Sequence, residues 1–479
     1  MIRRGLKGGT FKPLDESGIK QIHKAAMRAF EEIGFEVSSE LALDHFVKAG
    51  AKVEKSTGRV QMSEGLVTEL IELAPSEIVL HGQDEKHDVT LGGARVHTAT
   101  GGTALYIYEP ATNQRRPATL PDLKNVARLV DQLENIHVLL LPTYPTELSV
   151  EEVDINRFFT GLDNTSKHVM GGVYTREGVR RVLKMARIAA GSAEALRERP
   201  IISMITCTIS PMRIDQRYGD LIVDIATGGI PVVCPAEPLC GATSPTTLAG
   251  NITMLTIDSL MGVLLTQAVN PGTPVIFGSV ASNTDLGGLS YLAGSVEMGL
   301  INAAGAQMAQ FYQLPFYATG GMTDSKMLDA QAGYESAITG LMCALAGANF
   351  IHDSAGLMES AMSVSLEKLV IDNEILGMVM RGVEGITVND DTIAYDLIKQ
   401  IGPGGNFLTA KHTRRNMRKE HYQPTLSDRQ SREAWRENGE KETWQRAANT
   451  VKQLLANTTH RLPEQTRARI LTEVKGIIE

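Results

Sequence analysis

Eight short apolar runs recur along this chain, starting near Val96, Ile136, His168, Pro200, Pro231, Pro274, Pro315 and Phe350. The intervals between these starts are 40, 32, 32, 31, 43, 41 and 35 residues. Each interval carries a stretch of helical periodicity, so the pattern reads strand, helix, strand, helix, eight times over. The runs are continuously apolar rather than alternating, as parallel strands covered on both faces require. This arithmetic predicts an α/β fold, a (β/α)8 TIM barrel over residues 96–385, with its chemistry at the carboxyl ends of the strands.

Outside the barrel, residues 15–35 predict an amphipathic helix with Ile19, Ile22, Ala26, Phe30 and Ile33 on one face. Shorter helices are expected near 39–49 and 63–73, and small strands within 51–62 and 77–91. Residues 1–95 therefore read as an N-terminal extension of helices and small strands. After the first strand, the segment 103–117 alternates and turns like a hairpin. Thr119 to Asp122 then has the form of a capping box, with Pro121 in the first helical turn. Gly228 and Gly229 mark the stop of the fourth barrel helix, and a long apolar helix is expected over about 246–268. Residues 386–479 shift to a charged composition, hold both tryptophans, Trp435 and Trp444, and read as a helical extension. That extension is either a solvated face or a subunit or partner interface.

Charge narrows the classes of function. The formal net charge of the 479 residues is -8, and the barrel shows no basic stripe, which argues against a nucleic-acid partner. Met1 to Arg4 is followed by polar residues and glycines rather than an apolar signal region, and no run approaches the ~20 apolar residues of a membrane span. A cytoplasmic location without membrane attachment is the expectation. Cys207, Cys234, Cys240 and Cys343 form no C-x-x-C pair. They read either as buried small residues or, since three fall at strand ends, as part of a catalytic zinc site.

The strand ends themselves carry more acids than bases. Glu147, Glu237, Asp285, Asp324 and Asp353 face only His352 and Lys326. Such a mouth favours a cationic ligand over a phosphate. Tyr106, Tyr144 and Tyr174 gather near the same end, in a chain whose aromatic content is 5%. Tyrosine faces attract quaternary ammonium groups through the ring quadrupole, although tyrosines also pack under loops for structural reasons. His352 ends the eighth strand beside Asp353 and could serve as base, ligand or hydrogen-bond donor, or be purely structural.

The segments GGMTDSKMLDAQAGYES (320–336), FIHDSAGLMES (350–360) and HYQPTLSDRQSREAW (421–435) resemble the trimethylamine methyltransferase family, as does the plan of the whole chain. The resemblance implies methyl transfer from a methylated amine to a cobalt corrinoid (cobalamin) carried by a separate, transiently bound protein. Methanogen members acting on trimethylamine use pyrrolysine inside the barrel. This sequence has only the twenty standard residues, so the resemblance points to the branch lacking pyrrolysine, which demethylates quaternary amines such as glycine betaine. It puts Met322 in the neighbourhood of the pyrrolysine position. On this reading Tyr106, Tyr144 and Tyr174 form the ammonium surface, and Glu147, Glu237 and Asp324 supply negative field. His352 and the backbone amides of Gly320 and Gly321 hold a substrate carboxylate. No covalent residue and no bound metal are expected, and a homo-oligomer is left open. Two other readings stand beside it: a zinc-dependent corrinoid methyltransferase for a different methyl donor, and a betaine-binding barrel without catalysis.

Overall fold

The computed structural model describes residues 3–288, 290–457 and 461–478; Met1 and Ile2 of the expected polar start lie outside the described residues. Its centre is a parallel sheet of β1 (Arg95–Thr100), β2 (Leu139–Leu140), β3 (Val169–Gly172), β4 (Ile202–Ile205), β5 (Val232–Ala236), β6 (Val275–Ser279), β7 (Phe316–Thr319) and β8 (Phe350–Ala355). Each starts within a few residues of the apolar run that predicts it. The ladder order is β1-β8-β7-β6-β5-β4-β3-β2, with Leu6–Lys7 added antiparallel outside β1. Eight helices return between or after the strands: α1 (Leu120–Gln132), α2 (Val150–Asn164), α3 (Arg176–Ala190), α4 (Gln216–Gly228), α5 (Leu248–Val269), α6 (Val296–Phe311), α7 (Ala330–Ala346) and α8 (Leu366–Glu384).

The fold is thus α/β, with helices alternating with parallel strands. Between β1 and β2 no ladder forms. There the two edges meet through an isolated parallel bridge, Ala99 to Val138, and through the His137 and Val138 amides donating to Thr98 O at 2.9 and 3.3 Å. The run from Ile136 yields only two ladder residues. Pro142 cannot continue it, and the Thr98 N–H is directed at His137 Nδ1 (3.4 Å) instead of a strand carbonyl.

Inward-facing Ala99, Val138, Leu140, Met170, Val233, Ile276, Tyr317 and Phe350 fill the space within the sheet, and Leu80, Val89 and Leu91 of an antiparallel hairpin join this cluster. The larger outer core lies between the strands and the helices. Helix α5 is apolar and long enough to cross a bilayer by length and composition, but 78% of its apolar window is buried inside the molecule. It is the core helix that the long apolar run predicts.

Local signals act as expected at most boundaries. Thr119 and Asp122 form the reciprocal capping box at α1, and Gly229 ends α4 in the left-handed region at φ 73°. The N-terminal helix departs from its pattern. It runs over Glu16–Arg28 and continues as a π-helical turn over Ala29–Ile33. The wider turn slips the 3.6-residue period, so Ile22, Ala26 and Phe30 are buried while Ile33 is left exposed.

A buried lysine closes the bottom of α1. Lys167 Nζ donates to the carbonyls of Val130, Leu133 and Ile136 at 2.6, 2.7 and 2.6 Å. They lie at the end of a helix and in the turn after it, where the carbonyls of Val130 and Leu133 also accept the backbone amides of Leu133 and Ile136 and have a second lone pair to offer. Lys167→Met is expected to remove three hydrogen bonds to buried carbonyls and to cost about 2–3 kcal/mol. A urea midpoint unchanged from the parent would refute that role.

Candidate active site at the carboxyl ends of the strands

The bulge in β8 builds the centre of the site. Its register against β1 shifts between Ile351 and Ala355, so His352, Asp353 and Ser354 lie in an irregular segment, with Asp353 at φ 58°. A bulge re-aims side chains, and a non-glycine residue at positive φ is uncommon enough to mark a constrained position. Asp353 Oδ1 accepts the Gly102 N–H at 3.0 Å, and Oδ2 lies 2.9 Å from His352 Nδ1. The far nitrogen of the ring, Nε2, is 2.7 Å from Thr319 Oγ1 and 3.3 Å from Ser279 O. The imidazole stacks on Tyr317 at 3.7 Å and 16°, and Tyr317 stacks in turn on Phe350 at 5.5 Å and 9°.

These groups open into a cavity of about 500 Å³. Its walls include Glu237, Asp353 and His352, the four tyrosines Tyr174, Tyr218, Tyr291 and Tyr317, and Met322, Cys207 and Thr206. No lysine or arginine lines it. Glu237 is exposed to the cavity while protein surrounds it. Desolvation first, and the nearby Asp353 carboxylate second, push its carboxyl above the usual carboxylate range. Burial raises the Cys207 thiol to about 12, with Glu237 adding to the effect.

The structure gathers Tyr174, Glu237, Met322 and His352 at this cavity and places the other expected residues elsewhere. The Tyr106 ring is covered by the Arg115 guanidinium at 4.4 Å, in a hairpin outside the cavity. Tyr144 does not line the cavity but packs edge-on against Tyr174 at 5.5 Å. Glu147 accepts the Leu120 N–H at 2.7 Å, beside the start of α1. Asp324 accepts the Ala293 and Gly294 amides, each at 2.9 Å, and the Ser360 hydroxyl at 2.6 Å, so it ties three loops together. The expected carboxylate grip is also spoken for: Gly320 N donates to His352 O, and Gly321 N donates to Thr339 Oγ1. Gly321 sits at φ 99° with Ser354 backbone 2.7 Å from where a Cβ would stand, so that close approach is why glycine is there.

Three wall tyrosines were not anticipated. Tyr317 was legible, because it lies two residues before the inward Thr319 and strand side chains repeat every two residues. Tyr218 sits in the first turn of α4, which begins at the same end of the molecule as the cavity. Tyr291 arrives by a hairpin, Thr284–Asp285 against Ser290–Tyr291, that no local pattern announces. The zinc alternative loses its donor set: Cys207 reaches the cavity, but Cys234 and Cys240 are packed in two different core clusters. Among the described residues no group of three His, Cys, Asp or Glu side chains could hold a metal ion.

Comparison with known proteins agrees along the full length. A family model described as trimethylamine methyltransferase (MTTB) matches residues 2–473. The trimethylamine methyltransferase MttB of Desulfitobacterium hafniense (strain DSM 10664 / DCB-2) is 36% identical over 458 residues, 96% of this chain and 91% of that protein. A glycine betaine methyltransferase of Desulfitobacterium hafniense (strain Y51) is 36% identical over 445 residues, 93% and 92% of the two chains. The crystal structure of the Methanosarcina barkeri monomethylamine methyltransferase (MtmB) aligns over 94% of this chain and 88% of that one, with a TM-score of 0.55 at 12% identity, a likeness of fold. With a family match spanning nearly every residue and relatives at 36% identity, this chain belongs to the trimethylamine methyltransferase family.

Proposed function

We propose that the protein moves a methyl group from a cationic methylated amine, with a quaternary amine such as glycine betaine favoured, to the Co(I) of a corrinoid carried by a separate protein. The carrying observation is the cavity wall: two carboxylates and four tyrosines, with neither lysine nor arginine among the lining residues. Carboxylates and aromatic faces both attract an ammonium group that cannot donate a hydrogen bond. The relatives' names, a trimethylamine and a glycine betaine methyltransferase, support the same chemistry.

A quaternary nitrogen already carries its charge, so a neutral tertiary amine leaves when the methyl carbon is taken by the cobalt nucleophile. The protein's share is to hold the N–CH3 bond in line and to keep water out. Glu237 and Asp353 hold the ammonium, Tyr174, Tyr291 and Tyr317 wall it, and Met322 packs beneath them. His352 and the Gly102 amide set the Asp353 carboxylate, so His352 acts on the substrate through Asp353. The eight strand–helix units are taken as one closed (β/α)8 barrel over 96–385, with 1–95 and 386–479 as extensions. The α/β order and the Ala99–Val138 bridge support that closure.

The direct test is formation of methylcobalamin from cob(I)alamin with glycine betaine, proline betaine, carnitine and trimethylamine, followed by absorbance. Methylation from a quaternary amine is expected. Silence with every amine, repeated with a native corrinoid protein, would refute the reading. Within that assay Tyr291→Leu is expected to raise KM about 10-fold, since a desolvated cation–π contact contributes ~1–2 kcal/mol. Tyr106→Ala, whose ring already serves Arg115, is expected to stay within about twofold.

A further inference from the structure

An acid-rich wall leaves open what meets the other end of a betaine, whose carboxylate is borne by the carbon next to the ammonium. The amides of Gly320 and Gly321 are spent elsewhere, and no lysine or arginine lines the cavity. A cation does lie directly behind the wall. Arg157 of α2 is fully buried. Its guanidinium donates to Leu141 O at 2.8 Å and to Gly172 O at 3.4 Å, at the ends of β2 and β3. Leu141 and Gly172 line the cavity, as does Tyr174, whose ring centroid is 5.9 Å from the guanidinium carbon. Arg157 therefore backs one face of the cavity without entering it.

The charge of Arg157 is poorly compensated. Among the described residues it forms no ion pair, and its Nε has no hydrogen-bond partner. Asp154, one turn earlier on α2, accepts the Tyr174 amide at 3.1 Å and the Thr175 amide at 3.2 Å. Burial pushes the Asp154 carboxyl above the usual carboxylate range, which weakens it as a counter-charge. A buried cation held by carbonyls alone costs the fold stability, and its field reaches far in a medium of low dielectric. The acids stand elsewhere in the ring. Glu237 follows β5 and Asp353 lies in β8, and these two strands flank β6 and β7. With the sheet edges meeting at the Ala99–Val138 bridge, β2 and β3 face β6 and β7 across the cavity.

We propose that Arg157 makes the β2–β3 face the carboxylate end of the cavity, so that the enzyme prefers a zwitterionic betaine over an amine whose fourth arm is uncharged. The inference rests on the reading of this cavity as an ammonium site. Tyr174 supplies the contact. Its ring borders the ammonium, and its hydroxyl, which makes no hydrogen bond among the described residues, is free to donate to the carboxylate. Arg157 touches no substrate. It is a positioning residue that acts through its field and through the tyrosine in front of it.

The test is titration calorimetry of the full chain, without corrinoid, using three probes. These are glycine betaine, its carboxamide, which has the same shape with a neutral arm, and tetramethylammonium. The parent is expected to bind glycine betaine about 10-fold more tightly than the carboxamide. In Arg157→Met the Kd for glycine betaine is expected to rise about 10-fold, while that for tetramethylammonium falls about threefold, because removing one cation favours binding another. Arg157→Lys keeps the charge and is expected to keep the preference. A packing defect would weaken all three probes together, and that result in Arg157→Met would overturn the proposal. A parent that binds the carboxamide as tightly as the carboxylate would overturn it with no variant at all, so the question stands decided even if Arg157→Met does not fold. Binding of none of the probes would overturn both this inference and the ammonium site. Selective binding of glycine betaine without methyl transfer to any corrinoid would support the charge axis and refute the proposed reaction.

Discussion

Glu237→Gln is expected to lower kcat/KM for a cationic amine by about 100-fold, mostly through KM. A unit charge a few ångströms from a carboxylate is worth several kcal/mol at the effective dielectric of a protein interior. Water in an open cavity screens part of that, leaving about 2–3 kcal/mol, and each 1.4 kcal/mol is tenfold. The same residue sets a pH dependence with a definite sign. Burial, reinforced by Asp353, holds the Glu237 carboxyl above the ordinary carboxylate range. As pH falls through that raised value the charge is lost and KM rises, at a pH where free carboxylates are still ionised. In Glu237→Gln this acidic limb disappears, because no titrating group remains at the position. An unchanged KM, or an acidic limb that survives the substitution, would remove Glu237 from the ammonium site.

Lys368→Met is expected to destabilise the fold by about 3–5 kcal/mol, the largest effect among the substitutions considered. Lys368 and Asp372 are a fully buried pair one turn apart on α8. Lys368 Nζ also reaches Ser336 Oγ of α7 at 2.8 Å, and Asp372 Oδ2 accepts the Gly356 N–H at 2.7 Å, just past β8. Removing only the lysine leaves a buried carboxylate without its counter-ion, which is where the cost arises. Replacing both, as Lys368→Met with Asp372→Leu, removes the stranded charge and should recover most of the loss. Thermal and urea unfolding of the single and double variants separate the two effects. Equal destabilisation by both would show that the pair's hydrogen bonds to Ser336 and Gly356, not charge compensation, hold this corner.

The pair also bears on the site, since Gly356 follows the bulge that presents His352 and Asp353. A loosened Gly356 anchor is expected to reach Asp353 before it reaches the strands. The architecture makes this coupling short: one irregular strand end carries the residues, and one helix behind it fixes where that end stops.

Strand and helix identity was legible from the chain because each depends on neighbours in sequence. Continuous apolar runs need burial on both faces, capping residues satisfy the helix termini beside them, and the Gly229 turn needs no distant partner. The acid-rich, tyrosine-bearing character of the strand ends was legible for the same reason, and Glu237, Tyr174, Met322 and His352 do line the cavity at those ends. The partners of a polar side chain were not legible, because they come from elsewhere in the chain. Asp324 reads as cavity charge until the amides of Ala293 and Gly294 and the hydroxyl of Ser360 are found on it. Tyr106 reads as an ammonium surface until Arg115 covers it. His352 reads as a carboxylate donor until Thr319 and Ser279 are found on its Nε2 and the Asp353 carboxylate beside its Nδ1. Tyr291 is invisible until a hairpin carries it back over the mouth. Periodicity and local hydrogen-bonding chemistry thus decided which elements form and which end bears the chemistry. Tertiary packing decided which of the candidate side chains remain free to meet a substrate, because a polar atom already satisfied inside the protein gains little by turning to a ligand.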